Sequence, residues 1–312
     1  MPAKTRTTSV DNAIEADRVG PEEVVFQRGP LRVGQFRCSL KHPQFVDSGP
    51  TSGWLLTFPR VPVLVAHAGE DPIVADPSIV KFFNRNQAFR REPLSDDGDR
   101  CEWFSFDVAT VSDAVRPYDP AAADRPGRPF ALTHAPVDSA SYFLQRRIAD
   151  YVTRTPSSEA CDGLLVEEAL YTLLARTIAH AYARRGVRPS RTYAPSVSKM
   201  HSAIVDHVER MLATRYRESL ALSDIAKSVG YSPFHLARVF RAKTGASIHA
   251  KRQKLRLHVA LDEVRDPRRD LTDVALDLGF SSHSHFTDAF HRAFGRAPSA
   301  LRDLSQWPLV VR

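Results

Sequence analysis

The sequence lacks the features that mark membrane proteins and disulfide-bonded secreted domains. No apolar run approaches the ~20 residues of a membrane-spanning helix, and residues 1–20 form a polar tail without the apolar core of a signal peptide. The three cysteines, Cys38, Cys101 and Cys161, are odd in number and show no paired spacing, which fits a reducing compartment. These absences favour a cytoplasmic protein.

Clustered histidines are also missing, so the sequence predicts neither a metal site nor catalytic residues. His42, His67 and His134 stand alone in the first half of the chain. His283 and His285 are two residues apart on a predicted helix, where side chains do not face each other. No cysteine or acidic cluster joins them at zinc spacing. We expect no metal and no cofactor.

Charge is distributed unevenly along the chain. The formal net charge of +7 comes from residues 197–312, which hold 19 Lys and Arg against 12 Asp and Glu, whereas residues 1–196 hold 24 of each. A basic segment beside a neutral one is typical of a module that contacts phosphate. A solvated basic face would give the same count. The length of 312 residues leaves room for two domains.

The last third of the chain contains an internal repeat. Residues 222–232 (LSDIAKSVGYS) return as residues 271–281 (LTDVALDLGFS), an offset of 49 that becomes 50 after the serine. Each copy has apolar residues at helical spacing, then a glycine, then a second helical pattern, which predicts a helix-turn-helix. Gly230 and Gly279 follow the last apolar residue, where a left-handed backbone is easiest without a Cβ.

Together the two copies resemble the DNA-binding domain of the AraC/XylS family of bacterial transcription regulators. The resemblance covers residues 199–304, and the residues outside the repeat that carry it are Gly245, Arg256, Ala260, Ser282, Phe286, Phe290, Phe294, Gly295, Pro298, Leu301 and Arg302. It implies seven helices. It also implies a long connector that holds two recognition helices about one DNA turn apart, roughly 34 Å.

Side chains that face away from the apolar stripes are the candidates for DNA contact. We expect contacts to bases from Phe234, His235, Ala237, Arg238, His283, Ser284, Thr287 and Asp288. We expect contacts to phosphates from Ser232, Arg241, Lys243, Ser282, His291 and Arg292. Arg238 is the strongest candidate, because a guanidinium pairs in bidentate fashion with guanine. Asp288 has the position in the second copy that Arg238 has in the first. Its carboxylate either accepts a hydrogen bond from cytosine N4 or pairs with Arg292, four residues later.

Residues 21–185 are predicted to form a separate domain, joined to the repeat by a linker at 186–198. Short apolar runs divided by Pro and Gly at 24–110 predict a sandwich or small barrel, and the resemblance implies a cupin-like barrel there. Helical patterns follow at 139–153 and 158–185, and the second would suit a dimer interface. The predicted fold class is therefore α+β with two domains: a β-rich cupin-like barrel with a helical dimerisation segment, then an all-α domain of seven helices.

The resemblance implies a transcription regulator. Activation is the commoner mode in this family, and repression is left open. The implied partners are double-stranded promoter DNA, RNA polymerase, a second copy of the chain and a small-molecule effector. The aromatic candidates for lining an effector pocket are Trp54, His67, Phe83, Trp103 and Phe106. A barrel without a ligand and a cupin-type enzyme with a DNA-binding tail are the alternatives. Cys101 is either a redox sensor or a buried structural cysteine.

Overall fold

A computed structural model describes most of the chain. The described residues are 21–46, 49–67, 69–155, 161–190 and 199–302. The polar tail at 1–20 and residues 191–198 of the predicted linker lie outside them. Two compact units are present: the N-terminal unit, residues 1–158 and 169–194, and the C-terminal unit, residues 159–168 and 195–312. No helix in the described ranges is long and apolar enough to cross a membrane.

The N-terminal unit is rich in β-structure, as the sequence predicts. Its described strands are β1 (Glu22–Arg28), β2 (Leu31–Cys38), β3 (Trp54–Pro59), β4 (Val63–His67), β5 (Ile73–Ala75), β6 (Ile79–Phe83), β7 (Phe89–Pro93), β8 (Asp99–Phe106) and β9 (His134–Pro136). They form a six-stranded sheet in the order β1-β2-β8-β3-β6-β9 and a three-stranded sheet in the order β5-β4-β7. All the strand pairs among the described residues are antiparallel. Closure into a cupin-like barrel stays a prediction.

Strand register aligns one row of side chains across the larger sheet. Directly opposed residues of antiparallel strands point to the same face, and the row runs through Gly34, Trp103, Thr57, Lys81 and His134. A Cβ at Gly34 would lie 2.2 Å from the Trp103 ring. Because glycine has no Cβ, the indole of Trp103 can lie close over β2.

Helix α1 (Val108–Val115) lies between β8 and β9, and the helices α2 (Ser139–Arg154) and α3 (Gly163–Ala183) follow β9. The first turns of α3 belong to the C-terminal unit. Helix α1 was not predicted. The side chain of Asp107 begins it by accepting a hydrogen bond from the amide of Thr110 at 2.8 Å. Asp138 begins α2 in the same way.

The apolar face of α3 is buried, as its helical pattern predicts. Leu164, Leu173 and Ile178 are each at most 1% exposed within a single chain. The use of this helix as a dimer interface stays a prediction.

The C-terminal unit is helical in its described residues 199–302. Its helices are α4 (Lys199–Arg215), α5 (Leu222–Ser228), α6 (Pro233–Thr244), α7 (Ile248–Glu263), α8 (Leu271–Asp277) and α9 (His283–Phe294), followed by a 3₁₀ helix at Pro298–Arg302. The described part thus has six α-helices, and the expected seventh is a short 3₁₀ helix. Helices α5 and α8 have 7 residues each, and α6 and α9 have 12 each.

Candidate nucleic-acid interface

The two helix-turn-helix copies have matching backbones at their turns and ends. Helices α5 and α8 are 49 residues apart and α6 and α9 are 50 apart, so the extra residue lies in the second turn. Ser232 and Ser282 cap the second helix of each copy by accepting from the third residue's amide. Gly245 and Gly295 end these helices in the left-handed region, at φ 73° and 74°. Each copy therefore fixes both ends of its second helix in the same way.

Arg256, on α7, fixes the turn of the second copy. Its guanidinium donates to the carbonyl oxygens of Tyr216 and Gly279, each at 2.6 Å, and of Glu218 at 3.0 Å. Burial and, to a smaller extent, the neighbouring charge of Arg252 lower the pKa of Arg256 to about 10, against the opposing charge of Asp162. Three backbone carbonyls thus take the place of water around this buried cation.

Two carboxylates from α3 cap the first turns of α5 and α7. Glu167 Oε2 accepts from the amide of Leu222 at 2.8 Å, and Glu168 accepts from the amides of Ile248 and His249 at 2.8 and 2.9 Å. Both glutamates are buried. They satisfy amides that a helix leaves without partners at its first turn, and negative charge is favourable there. Sequence reasoning missed both residues, although two adjacent acids inside an apolar helical pattern were a visible signal.

A buried ion pair lies beside these caps. Asp162 accepts from the guanidinium of Arg252 at 2.9 and 3.0 Å, and its carboxylate also lies 3.2 Å from His249 Nε2. Burial alone would raise the pKa of Asp162. The hydrogen bond from His249 and the charges of His249 and Arg252 more than offset it, and they hold that pKa well below its usual range. The pair fastens the start of α3 to α7.

On α6, the candidate contact residues divide by exposure. Arg241 and Lys243 are exposed, and Arg238 is partly exposed with its guanidinium carbon 5.6 Å from the centre of the Phe234 ring. Phe234 itself is only 1% exposed, which corrects its assignment as a base contact, since a ring inside the core cannot reach a groove. His235 is partly exposed and stacks on Tyr231 at 4.8 Å. Ala237 is partly exposed.

On α9, the candidates are mostly on the surface. Those with exposed side chains are His283, Ser284, Asp288, His291 and Arg292. The hydroxyl of Thr287 is buried, so it does not present itself to a base. Arg292 Nε donates to the backbone carbonyl of Asp288 at 3.1 Å, and no ion pair joins the two side chains in the described part of the chain. The Asp288 carboxylate is therefore left on the exposed face of α9.

Comparison with known proteins agrees with this architecture. Residues 225–303 match the helix-turn-helix domain family. The regulatory protein SoxS of Salmonella typhimurium is 32% identical over 102 residues, which cover 33% of this chain and 95% of SoxS. The chain belongs to the AraC/XylS family. It is thus an AraC-family DNA-binding transcription regulator.

Two further comparisons for this AraC/XylS-family protein cover different shares of the matched proteins. The Msm operon regulatory protein of Streptococcus mutans is 27% identical over 164 residues, which cover 53% of this chain and 56% of that relative. The chain thus spans just over half the length of that protein. A structure of the DNA-binding domain of AdpA in complex with a target DNA is 21% identical, with a TM-score of 0.32, and covers 34% of this chain and 97% of that one.

The N-terminal unit of this AraC/XylS-family protein contains a cavity of about 140 Å³. Phe83 and Trp103, two of the five predicted lining residues, form part of its wall. The other three do not line it. Trp54 donates from its indole to the carbonyl of Gly127 at 2.8 Å, the His67 ring lies 4.9 Å from Phe83, and Phe106 is buried. The described residues contain no group of three or more His, Cys, Asp or Glu side chains placed to hold a metal.

Cys101 also lines this cavity, as a buried thiol. Burial raises its pKa far above the ordinary value, and the negative charge of Asp99 raises it further. Reactive cysteines have a lowered pKa, because the thiolate is the nucleophile. The environment therefore favours the structural interpretation of Cys101 over the redox sensor.

Proposed function

We propose that the protein regulates transcription by placing α6 and α9 in two successive major grooves of promoter DNA. The observation that carries this proposal is the duplicated geometry: each copy holds its second helix between a serine cap and a left-handed glycine. A helix held in this way by a preceding helix and turn is the arrangement that enters the major groove. Two equivalent copies on one chain favour two such contacts.

The connector supports the spacing that two grooves require. Helix α7 has 16 residues and so is about 24 Å long. Arg256 and Arg252 fasten it to backbone and side-chain groups of the same unit. A fixed connector of this length suits two helices that are separated by about one DNA turn, roughly 34 Å.

The two contact helices differ in charge, and we assign them different roles. Arg238 on α6 is the proposed base contact, with Arg241 and Lys243 on phosphates. On α9 the proposed base contacts are His283, Ser284 and Asp288, with Arg292 on phosphate. Because α9 has an acid where α6 has an arginine, α9 contributes less to binding that is independent of sequence.

Recovery of genomic DNA fragments by the full-length protein, at physiological salt and with random competitor DNA, tests the proposal. We expect one recurrent motif with two half-elements about one turn apart. Retention of all fragments alike, vanishing as salt rises, would contradict sequence-specific binding.

Two variants then separate base contact from phosphate contact on α6. Arg238→Ala should cost about 1–3 kcal/mol on the recovered motif and relax the preference at one base pair. Arg241→Ala, the matched control on the same helix, should weaken binding about equally on all sequences and reduce the salt slope by about one. Equal weakening by Arg238→Ala on every sequence would reassign it to phosphate.

Activation is the mode that the family resemblance favours, with RNA polymerase as the protein partner and a homodimer as the assembled form. A reporter placed behind a recovered promoter measures the mode directly. Expression should rise when the protein is supplied and should not rise with Arg238→Ala. A fall in expression would indicate repression. Sedimentation of the purified protein tests the dimer.

A further inference from the structure

The start of α3 joins the helix that begins the first helix-turn-helix copy to the helix that follows it. Glu167 caps α5 and Glu168 caps α7, and α6 lies between these two helices in the sequence. Both glutamates belong to residues 159–168, which are part of the C-terminal unit. Because the two are adjacent in the sequence, one turn of α3 fixes both helices.

The second copy is held by a different residue. Arg256 of α7 donates to the carbonyl oxygen of Gly279, in the turn of that copy. Helices α4 and α7 begin 49 residues apart, which is the offset of the repeat, and the position 49 residues before Arg256 is His207. His207 is partly exposed, and its Nε2 lies 3.5 Å from the hydroxyl of Ser228. That distance is at the limit of a hydrogen bond, so α4 holds the first turn less firmly than α7 holds the second.

The caps from α3 cannot be replaced by water. Leu222 and Ile248, whose amides donate to the two carboxylates, are each 0% exposed. A buried amide without an acceptor is costly, so loss of the carboxylates should shift α5 and α7, and α6 with them. Helix α9 should stay in place, because Asp270 and Arg256 fix its copy independently.

We propose that Glu167 and Glu168 are positioning residues for DNA binding, which hold α6 at the angle and distance from α9 that two successive major grooves require. The inference rests on the proposed function. The two glutamates act on the first copy only, through α5 and α7. The first copy therefore depends on residues outside the repeat for its position, whereas the second copy is positioned by residues within 199–302.

The test on DNA uses the full-length protein and the recovered motif, with each half-element replaced in turn. The base pair at which Arg238→Ala relaxes the preference identifies the half-element of the first copy. Glu168→Ala should weaken binding to the intact motif at least about tenfold. In this variant, replacing the first copy's half-element should weaken binding further by less than about twofold, whereas replacing the second should weaken it by the wild-type factor. Wild-type factors at both half-elements would overturn the proposal.

Matched variants separate the caps from the negative charge. Glu167→Gln keeps an acceptor for the amide of Leu222, so it should bind within about twofold of the wild type, whereas Glu167→Ala should behave as Glu168→Ala does. Glu168→Gln leaves one of two amides with an acceptor and should show the same pattern with a smaller loss. Glu209→Gln breaks a partly exposed ion pair, 2.8 Å long, between α4 and Lys251 of α7, and should leave binding unchanged. Losses in Glu209→Gln or Glu167→Gln as large as in Glu168→Ala would contradict a role for the caps.

Hydrogen exchange without DNA separates failure of this inference from failure of the proposed function. In Glu168→Ala and Glu168→Gln, the amides of α5 and α6 should exchange faster than in the wild type, and those of α8 and α9 at the wild-type rate. Faster exchange in both copies, or in neither, would overturn the positioning role. If exchange rises in the first copy alone but no motif with two half-elements is recovered, only the proposed function fails.

Discussion

The two helix-turn-helix copies reach nearly the same backbone through different contacts. In the second copy, Asp270 caps its own helix by accepting from the amide of Thr272. In the first copy the matching position is Ala221, which has no side chain to cap with, and Glu167 of α3 accepts from Leu222 instead. The second copy thus depends on local sequence, whereas the first depends on a residue 55 positions away. A repeat can keep its geometry while its supporting contacts diverge.

The turn glycines differ in the same manner. Gly230 and Gly279 both have positive φ, 70° and 81°. A Cβ at Gly230 would meet nothing within 4 Å, whereas at Gly279 it would lie 2.2 Å from the carbonyl oxygen of Arg217 and 2.6 Å from Arg256 Nη2. The first turn therefore needs glycine for its backbone conformation alone. The second needs it also for space.

The largest effect is expected at these glycines. Gly230→Ala should lower the free energy of unfolding by about 1 kcal/mol, because the left-handed backbone is unfavourable for alanine and nothing else contacts the added methyl group. Gly279→Ala should cost about 3 kcal/mol or more, since the methyl group must also displace a backbone carbonyl and the buried Arg256. Thermal unfolding of the two variants measures the difference. Equal losses would show that the second turn relaxes at no cost.

The next effect tests the caps. Glu167→Ala leaves the amide of Leu222 without its hydrogen-bond partner. We expect it to lower the free energy of unfolding by about 1–3 kcal/mol. Adding Ala221→Asp to that variant gives the first copy the cap that Asp270 provides in the second. We expect the double variant to recover much of the lost stability. Ala221→Asp alone should not stabilise the protein, because its carboxylate would then lie near that of Glu167. Failure of the rescue would mean that Glu167 acts through contacts other than the cap.

Local signals explain what the sequence could predict. The repeat at 222–232 and 271–281 predicts where the helices of both copies begin and end. It can do so because the turn glycine, the capping serine and the apolar spacing act on residues close to them in the sequence. The strands β2, β5 and β6 coincide with three of the apolar runs in 24–110, at 31–38, 73–75 and 79–83. These runs are short and apolar, and turn residues separate them.

Contacts between residues distant in sequence could not be predicted. The Glu167 cap joins two elements that no local pattern connects. Phe234 lies on the turn of α6 that was expected to face DNA, yet its ring enters the core. A charged residue inside an apolar run is usually expected to face solvent, yet Lys81 is buried. Its orientation follows only from the strand register.

The contact helices offer a third comparison, through Arg238 of α6 and Asp288 of α9. Asp288→Ala removes a negative charge from the proposed DNA face, so binding to random DNA should tighten about two- to fivefold. Binding to the preferred motif should weaken if the carboxylate accepts from cytosine, and the loss should concentrate at one base pair. Competition titrations with motif and random duplexes measure both constants. Tighter binding to both duplexes would exclude a base contact at Asp288.

The smallest effect concerns His285 on α9. Burial lowers its pKa, the charges of His249, Arg292 and Arg256 lower it further, and only Asp162 opposes them. The folded protein therefore keeps this imidazole neutral at a pH where the unfolded chain, with a pKa of about 6.5, takes up a proton. The resulting contribution to stability is complete above about pH 6.5 and is lost progressively as the pH falls below it.

His285→Gln separates this titration from the loss of ring contacts. The variant also loses the contact of the ring with Ser281, whose Oγ is 3.1 Å from Nδ1, and that loss is the same at every pH at which the ring is neutral. At pH 8 the wild type should therefore be the more stable, and the gap in Tm should narrow at pH 5.5. A gap that stays constant between the two pH values would show that His285 takes up its proton equally in the folded and unfolded states.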